Sequence, residues 1–219
     1  MKRMRSSKLI LGLCLALLGT ATLSSGSLAQ ATQAGSGASS QPGSPVASVT
    51  ALYARLTQTE RSTAAFSQRA QLLAPVVDQV FNLQTVLQNS LGLRYRSLPD
   101  TQKQQLLEQF RQFTVARYVS NFAAGSTDVF KVDPTPTASP IAGDQIVHTS
   151  IVSPSGSTTD VNYVMRQGPG GWQVVDVLLN GNISQVAVQR ADFGSSFSTG
   201  DATPLIDSLK KKTQAFSEG

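Results

Sequence analysis

Few side chains in the 219-residue sequence are placed for covalent or proton-transfer chemistry. His148 is the only histidine and lies in the run Ile146-Val147-His148-Thr149-Ser150. A single imidazole excludes any metal centre built on several of them. In such a run it reads as a strand residue satisfied by its neighbours. A serine triad would need His148 beside an acid and a nucleophilic serine, and no Gly-x-Ser-x-Gly elbow supports one. Two carboxylates stand in apolar settings: Asp78 among Val76, Val77, Val80 and Phe81, and Asp176 within Trp172 to Leu179. A buried acid facing a cavity is a candidate general base. The commoner fate is pairing with arginine or with backbone N–H groups, and that reading is preferred for both. Tyr163 and Trp172 read as core or cavity-lining residues. The glycine-rich segments fall outside strand-to-helix junctions, which argues against a phosphate cradle. No catalytic constellation and no cofactor are expected.

The elements that would position these groups divide the chain in two. Val46, Val49, Leu52, Tyr53 and Leu56 recur at helical spacing. So do Phe66, Ala70, Leu73, Val77, Val80 and Phe81, then Leu83, Val86, Leu87 and Leu91, with Gly92 as a stop. Pro75 is expected to kink or split the second of these. Ser97-Leu98-Pro99-Asp100 resembles a helix cap, opening a helix with Leu106, Leu107, Phe110, Phe113, Tyr118 and Phe122 on one stripe. Beyond Gly125 the pattern changes. Residues 129–132, 146–152, 158–167 and 172–179 are rich in β-branched residues. Ser153 to Ser157 and Gly168 to Gly171 supply turns for an antiparallel meander of the last three strands. Helices over about 184–192 and 204–212 follow. Helices first and a sheet second predict an α+β fold. The strand 172–179 is apolar on both faces, as is a strand covered on both sides or lining an internal space. A well-filled core and an enclosed apolar cavity both fit that pattern.

Composition bounds the compartment and the partners. Lys2, Arg3, Arg5 and Lys8 precede the apolar run Leu9 to Leu18, and Ser27-Leu28-Ala29 ends in small residues, so residues 1–29 read as a cleavable signal peptide. The run is too short for a membrane-spanning helix, which needs roughly 20 residues. Cys14, the only cysteine, follows Leu13 in mid-run, which argues against lipidation, and leaves the mature chain without a disulfide. Four of the 18 basic residues lie in that segment, leaving 14 against 13 acidic ones. The mature chain is nearly neutral, and no basic stripe interleaved with aromatics points to nucleic acid. Residues 30–45, QATQAGSGASSQPGSP, have nothing to bury and read as a flexible linker. Residues 46–219 are then a single domain.

Several stretches resemble one family. Gly171-Trp172-Gln173-Val174-Val175-Asp176-Val177-Leu178-Leu179-Asn180-Gly181 and the following Ile183-Ser184 are similar to the W-x-(V/I)-x-D-V-x-(I/L)-x-G-(V/I)-S stretch of the MlaC or toluene-tolerance family of periplasmic lipid-binding proteins, with Asn182 as an insertion. Arg190 and Phe193 match its Arg-x-x-Phe, with Gln189 in place of the usual Tyr. Leu91 to Asp100 resembles its L-G-x-x-W-x-x-(A/L)-(T/S)-P-E, with Tyr95 for Trp and Leu98-Pro99-Asp100 for Thr-Pro-Glu. Phe110-Arg111-Gln112-Phe113 and Arg117-Tyr118 resemble the run that follows. The resemblance covers roughly residues 48–212, and Ile183 to Phe193 looks more like the branch associated with hopanoid biosynthesis.

The resemblance implies an NTF2-like cone with added helices, a helical N-terminal half packed on a curved antiparallel sheet and enclosing an apolar cavity. It implies a non-enzymatic carrier whose cargo is a membrane lipid, phospholipid or hopanoid. It further implies two partners, an inner-membrane ABC transporter complex and an outer-membrane lipoprotein complex. Exposing an acyl chain of about 16 carbons to water costs roughly 13 kcal/mol, so crossing an aqueous compartment demands a sheath. The expected lining is Phe81, Leu83, Val86, Leu87, Phe110 and Phe113 from the helices. Strand alternation adds Val147, Ile151, Tyr163, Met165, Val175, Val177 and Leu179. Arg94, Arg117 and Arg190 are candidates for an anionic head group, with surface solvation the simpler reading of each. Two alternatives stand beside the carrier. One is an isomerase- or dehydratase-like enzyme using Asp78, Asp176 or His148. The other is a partner-binding accessory protein with a solid core.

Overall fold

In the computed structural model, residues 43–197 and 200–218 are described. The expected signal peptide and most of the expected linker lie outside them. The first helix, α1 (Pro45–Arg61), starts where Ser44 accepts a hydrogen bond from the Ala47 N–H at 3.1 Å and Pro45 fills the first turn. Ser44 and Pro45, the last two residues of the expected linker, thus form the start of α1. Helix α2 (Phe66–Val80) runs through Pro75 without splitting. That residue faces solvent, where water can take up the carbonyl it leaves unpaired. Asn82 caps α3 (Leu83–Leu91), accepting from the Thr85 N–H at 3.0 Å. Gly92 ends it at φ 60°, and a short α4 (Leu93–Arg96) follows.

Helix α5 (Asp100–Asn121) forms as expected but without the expected cap. Ser97 Oγ donates to the Arg94 carbonyl instead, and Pro99 holds the capping position with no side-chain bond. After the sheet come α6 (Gln185–Gly194), capped by Ser184, and α7 (Thr203–Glu218), which runs beyond the expected end at residue 212. No described helix is long and apolar enough to cross a membrane.

Seven strands form one antiparallel sheet: β1 (Val129–Val132), β2 (Thr137–Ala138), β3 (Asp144–Val147), β4 (Thr149–Val152), β5 (Thr158–Gly168), β6 (Gly171–Leu179) and β7 (Ile183–Ser184). The expected strand 146–152 is interrupted at His148, but its halves pair with β5 in one register, Val147 opposite Tyr163 and Ser150 opposite Asp160. Strand β6 pairs with the other edge of β5. There Val164 faces Asp176 and Met165 faces Val174, so Val175 is an extra residue, a bulge that reverses which side chains face inward. Asn180 (φ 50°) and Gly181 (φ 79°) adopt left-handed backbone to turn the chain into β7.

One face of the sheet meets the helices. Val147, Val161, Tyr163, Met165 and Val174 share a core with Leu52, Leu73, Val77, Leu87, Leu106 and Phe110. Two hydrogen bonds to carbonyls of β6 hold the layers together. Ser48 Oγ donates to the Trp172 carbonyl at 2.9 Å, and the Asn82 N–H donates to the Val174 carbonyl at 3.0 Å. The second tie accompanies a one-residue parallel bridge between Phe81 and Val174. The class is α+β, as the order of patterns predicts.

At the end of α1, Glu60 is 1% exposed, and its Oε1 has no hydrogen-bond partner among the described residues. Its carbonyl accepts from the Gly125 N–H at 2.7 Å, joining α1 to the loop after α5. Burial first, and the neighbouring Asp128 carboxylate second, push the Glu60 pKa up from 4.5 to about 8. The unfolded chain releases this proton near pH 4.5 and the native state holds it until about pH 8. The native state therefore binds more protons in that window, and this group's contribution to stability declines as pH rises through it. Urea unfolding of Glu60→Gln is expected to show a flatter pH profile and a higher midpoint than the parent at pH 8. Parallel profiles for the two proteins would remove the assignment.

Candidate functional site

Between the helices and the inner face of the sheet lies a cavity of about 150 Å³. Ile151, Val161, Tyr163, Val174, Val177 and Leu179 form its sheet side. Phe81, Leu83, Val86, Phe110, Phe113, Tyr118, Phe122 and Val186 form its helical side. The rings interlock. Phe81 and Tyr118 meet edge to face with centroids 5.6 Å apart, and Tyr118 stacks on Phe122 at 6.1 Å. Polar lining residues cluster where α5 faces the start of α6: Thr114, Arg117, Asn121, Gln185 and Gln189, with Asp176 from β6. They are half-buried, and Asn121 is exposed, so this side meets solvent. Two broader depressions of about 510 and 400 Å³ are open surface grooves.

The interior carries little charge. Burial, and then the neighbouring hydroxyls of Tyr118 and Tyr53, push the Tyr163 pKa well above the ordinary 10.0. Burial also raises Tyr118 and Tyr53. The Tyr53 hydroxyl lies 2.5 Å from Thr149 Oγ1, which in turn donates to the Val161 carbonyl. These tyrosines present neutral hydroxyls at any ordinary pH.

Asp176 is fully engaged. Its Oδ1 accepts from the Val177 N–H at 2.7 Å and the Val186 N–H at 3.1 Å, and its Oδ2 accepts from Ser184 Oγ at 2.5 Å. The carboxylate fastens β6 to the first turn of α6, where negative charge also suits the helix N-terminus. Asp78 lies on the outer surface in a two-pronged pair with Arg111, at 2.6 and 2.7 Å. His148 is outside the cavity, its Nε2 2.8 Å from Thr137 Oγ1. None of the three is free to act as a base inside the cavity.

Of the residues that sequence places in the lining, Phe81, Leu83, Val86, Phe110, Phe113, Ile151, Tyr163, Val177 and Leu179 come together there. Leu87, Val147 and Met165 do not. Each is 0% exposed and packed in the solid part of the core beside the cavity. Val175 is a correction with a local cause. Strict alternation puts it beside Val177 and Leu179, but the bulge falls on Val175 itself and Val174 takes the inward place. Val175 is buried yet lies outside the main core cluster. Tyr118 and Phe122 continue the stripe of Phe110 at helical spacing, and Val161 stands two residues from Tyr163, so all three were within reach of periodicity. Gln185, Val186 and Gln189 carry no such signal, because α6 reaches the cavity through the Asp176 tie. Of the three arginines, only Arg117 lines the cavity. Arg94 lies over the Phe197 ring at 5.4 Å, and Arg190 donates to the Asn89 carbonyl at 2.7 Å.

The profile of the family described as MlaC protein matches residues 47–211. No individually curated protein matches the chain. Among solved structures, it is similar to the phospholipid-binding protein from Ralstonia solanacearum, determined in complex with a phospholipid. The TM-score is 0.67 at 16% sequence identity, covering 79% of this chain and 98% of that one. At that identity the likeness is one of fold.

Asp176→Ala removes three hydrogen bonds to one carboxylate, one of them at a helix start. It is expected to cost about 2–4 kcal/mol in chemical denaturation. Asp78→Asn, which breaks a surface pair, is expected to cost about 1 kcal/mol or less. Equal losses would show that Asp176 holds nothing beyond its own surface.

Proposed function

The chain belongs to the MlaC protein family, and from that premise we propose that it is a non-enzymatic periplasmic lipid carrier. The acyl or polycyclic part of a membrane lipid enters the space between the helices and the sheet. The polar group stays on the side of Arg117, Gln185 and Gln189. The carrier exchanges cargo with an inner-membrane ABC transporter complex and with an outer-membrane lipoprotein complex. The observation that carries this reading is the continuous apolar lining, drawn from α3, α5, α6 and three strands, around space that no side chain fills. The fold shared with a phospholipid-binding protein supports it.

The volume sets a condition on loading. About 150 Å³ is the size of an engineered apolar void that takes up benzene. A chain of about 16 methylenes needs several times that. Loading therefore spreads the walls, and the enclosed state holds only part of a chain. The walls that would move include the aromatic rings of Phe113, Tyr118 and Phe122, which line the cavity from α5 and its C-terminal cap. Once inside, a 16-carbon chain regains roughly 13 kcal/mol relative to water. That is ample to open a packed but non-covalent seam. No reaction is required, in keeping with a site whose one carboxylate is held by three hydrogen bonds and whose tyrosines are neutral.

Denaturing extraction of protein isolated from its native host, followed by lipid mass spectrometry, is expected to find a stoichiometric bound lipid. Val177→Trp fills the cavity from the sheet side at a cost of about 1–3 kcal/mol. It is expected to remain folded by circular dichroism and to lose the lipid. Absence of lipid from the parent protein, with no uptake from vesicles, would end the proposal.

A further inference from the structure

Two hydroxyls in the cavity wall have no partner within the protein. Tyr163 stands in the middle of the sheet, opposite Val147 on one side and Val177 on the other. It is 1% exposed and lines the cavity from the sheet side, while Tyr118 lines it from α5. Neither hydroxyl makes a hydrogen bond within 3.5 Å to any described residue. The described side-chain atoms that are both sealed and unpaired are Glu60 Oε1 and Arg69 Nε. The two tyrosine oxygens are not among them, so they look onto open space instead of packed atoms. A phenol hydroxyl gives one proton and accepts others, and burying it with that capacity unused is costly.

Behind Tyr163 the direction of the protons is fixed. Thr149 Oγ1 gives its one proton to the Val161 carbonyl. The Tyr53 hydroxyl, 2.5 Å from that oxygen, is therefore the donor in the bond between them. Tyr53 has then spent its proton and can only accept. Its ring meets that of Tyr163 edge to face, with centroids 5.9 Å apart, and Tyr118 is the other hydroxyl neighbour of Tyr163. The group thus offers two unused donors beside open lone pairs, in walls that are otherwise Phe81, Phe122, Val161 and Val177. An anion has no countercharge at these neutral phenols, and a carbonyl can accept but cannot give. A hydroxyl does both.

We propose that Tyr163 and Tyr118 are specificity-determining residues that bind a hydroxyl carried on the hydrocarbon part of the cargo. The cavity then takes a hydroxylated chain in preference to the plain chain with the same polar group. This inference rests on the carrier reading and deepens it, since it concerns the tail of the cargo and not its head. A plain chain covers both phenols and leaves them unpaired, whereas a hydroxylated one supplies the missing partner. Only a hydroxyl placed to reach the tyrosines gains, because anywhere else along the chain it is desolvated without return. Tyr53, held by Thr149, is a positioning residue.

The test uses the delipidated mature protein, incubated with vesicles of stearoyl phosphatidylglycerol in which part of the lipid carries a chain hydroxyl. The hydroxyl is placed near the carboxyl end, at mid-chain or at the methyl end. Head group and ester are common to every probe, so their contributions cancel. A second vesicle set pairs cholestanol with cholestane, which moves the hydroxyl to a fused-ring skeleton. The protein is re-isolated and its lipid quantified by mass spectrometry against the vesicle composition. The parent is expected to enrich at least one hydroxylated probe over its plain counterpart by about fivefold, as for one neutral hydrogen bond. The series in which it does so identifies the skeleton. Tyr163→Phe and Tyr118→Phe keep the rings, and each is expected to lower that enrichment. The double variant should abolish it while still taking up plain phosphatidylglycerol, which also reports an intact fold. Tyr95→Phe, at a buried tyrosine outside the cavity, should behave as the parent. No enrichment in either series, with plain lipid still taken up, overturns the assignment and leaves the carrier reading standing. So does an enrichment that survives the double variant. Failure of the parent to take up any lipid overturns the carrier reading and this inference with it.

Discussion

An apolar space left unfilled inside a protein is expensive. At roughly 24 cal/mol per Å³, a void of about 150 Å³ costs about 3–4 kcal/mol, a large fraction of the about 5–15 kcal/mol by which domains are stable. The rest of this structure is arranged around that cost. Leu52, Leu56, Leu73, Leu87 and Leu106 are fully buried in a solid block of helices beside the cavity. The hydrogen bonds to the Trp172 and Val174 carbonyls fix where the helical layer sits on the sheet. A chain free to relax would close the gap with its own side chains. Here the gap is kept, and a hydrophobic guest that fills it returns part of the cost.

Apart from the hydroxyls of Tyr118 and Tyr163, the polar groups in and beside the cavity are dealt with in two ways. A buried hydroxyl or carboxylate without a partner would call for water, and a watered interior would not take hydrocarbon. Thr149 is satisfied by the Val161 carbonyl and the Tyr53 hydroxyl, and Asp176 by three donors. Arg117 and the neighbouring amides, which have donors to spare, stand on the side that meets solvent. That division leaves the inner part of the cavity lined mainly by apolar side chains.

Much of this was legible in the sequence because periodicity reports which face of an element is buried. The stripe from Leu106 to Phe122 and the switch to β-branched runs after Gly125 predict helices followed by an antiparallel sheet, and the fold has that order. Alternation puts Ile151, Tyr163, Val177 and Leu179 on the face that lines the cavity. It fails at Val175, since a bulge adds one residue and alternation cannot count past it. It also cannot separate cavity wall from solid core, because Leu87, Val147 and Met165 face inward as truly as their neighbours do. Whether an inward side chain meets another or meets space is a property of three-dimensional volume. Asp176 was marked by its apolar setting, but its partners come from Ser184 and Val186, brought near by the turn at Asn180 and Gly181.

That turn and that carboxylate give β6 an unusual place in the architecture. Its side chains Val174, Val177 and Leu179 are floor, while Asp176 hangs the entrance, since α6 with Gln185 and Gln189 is fastened to it. Floor and threshold are therefore cut from one length of chain and share one register. Losing a residue anywhere along β6 would misplace both at once, with no neighbouring segment able to correct either. The loop around residues 133–143, by comparison, touches neither. Variation in this protein is thus channelled: the surface far from β6 can drift singly, whereas the strand and the helix it carries must change together or not at all.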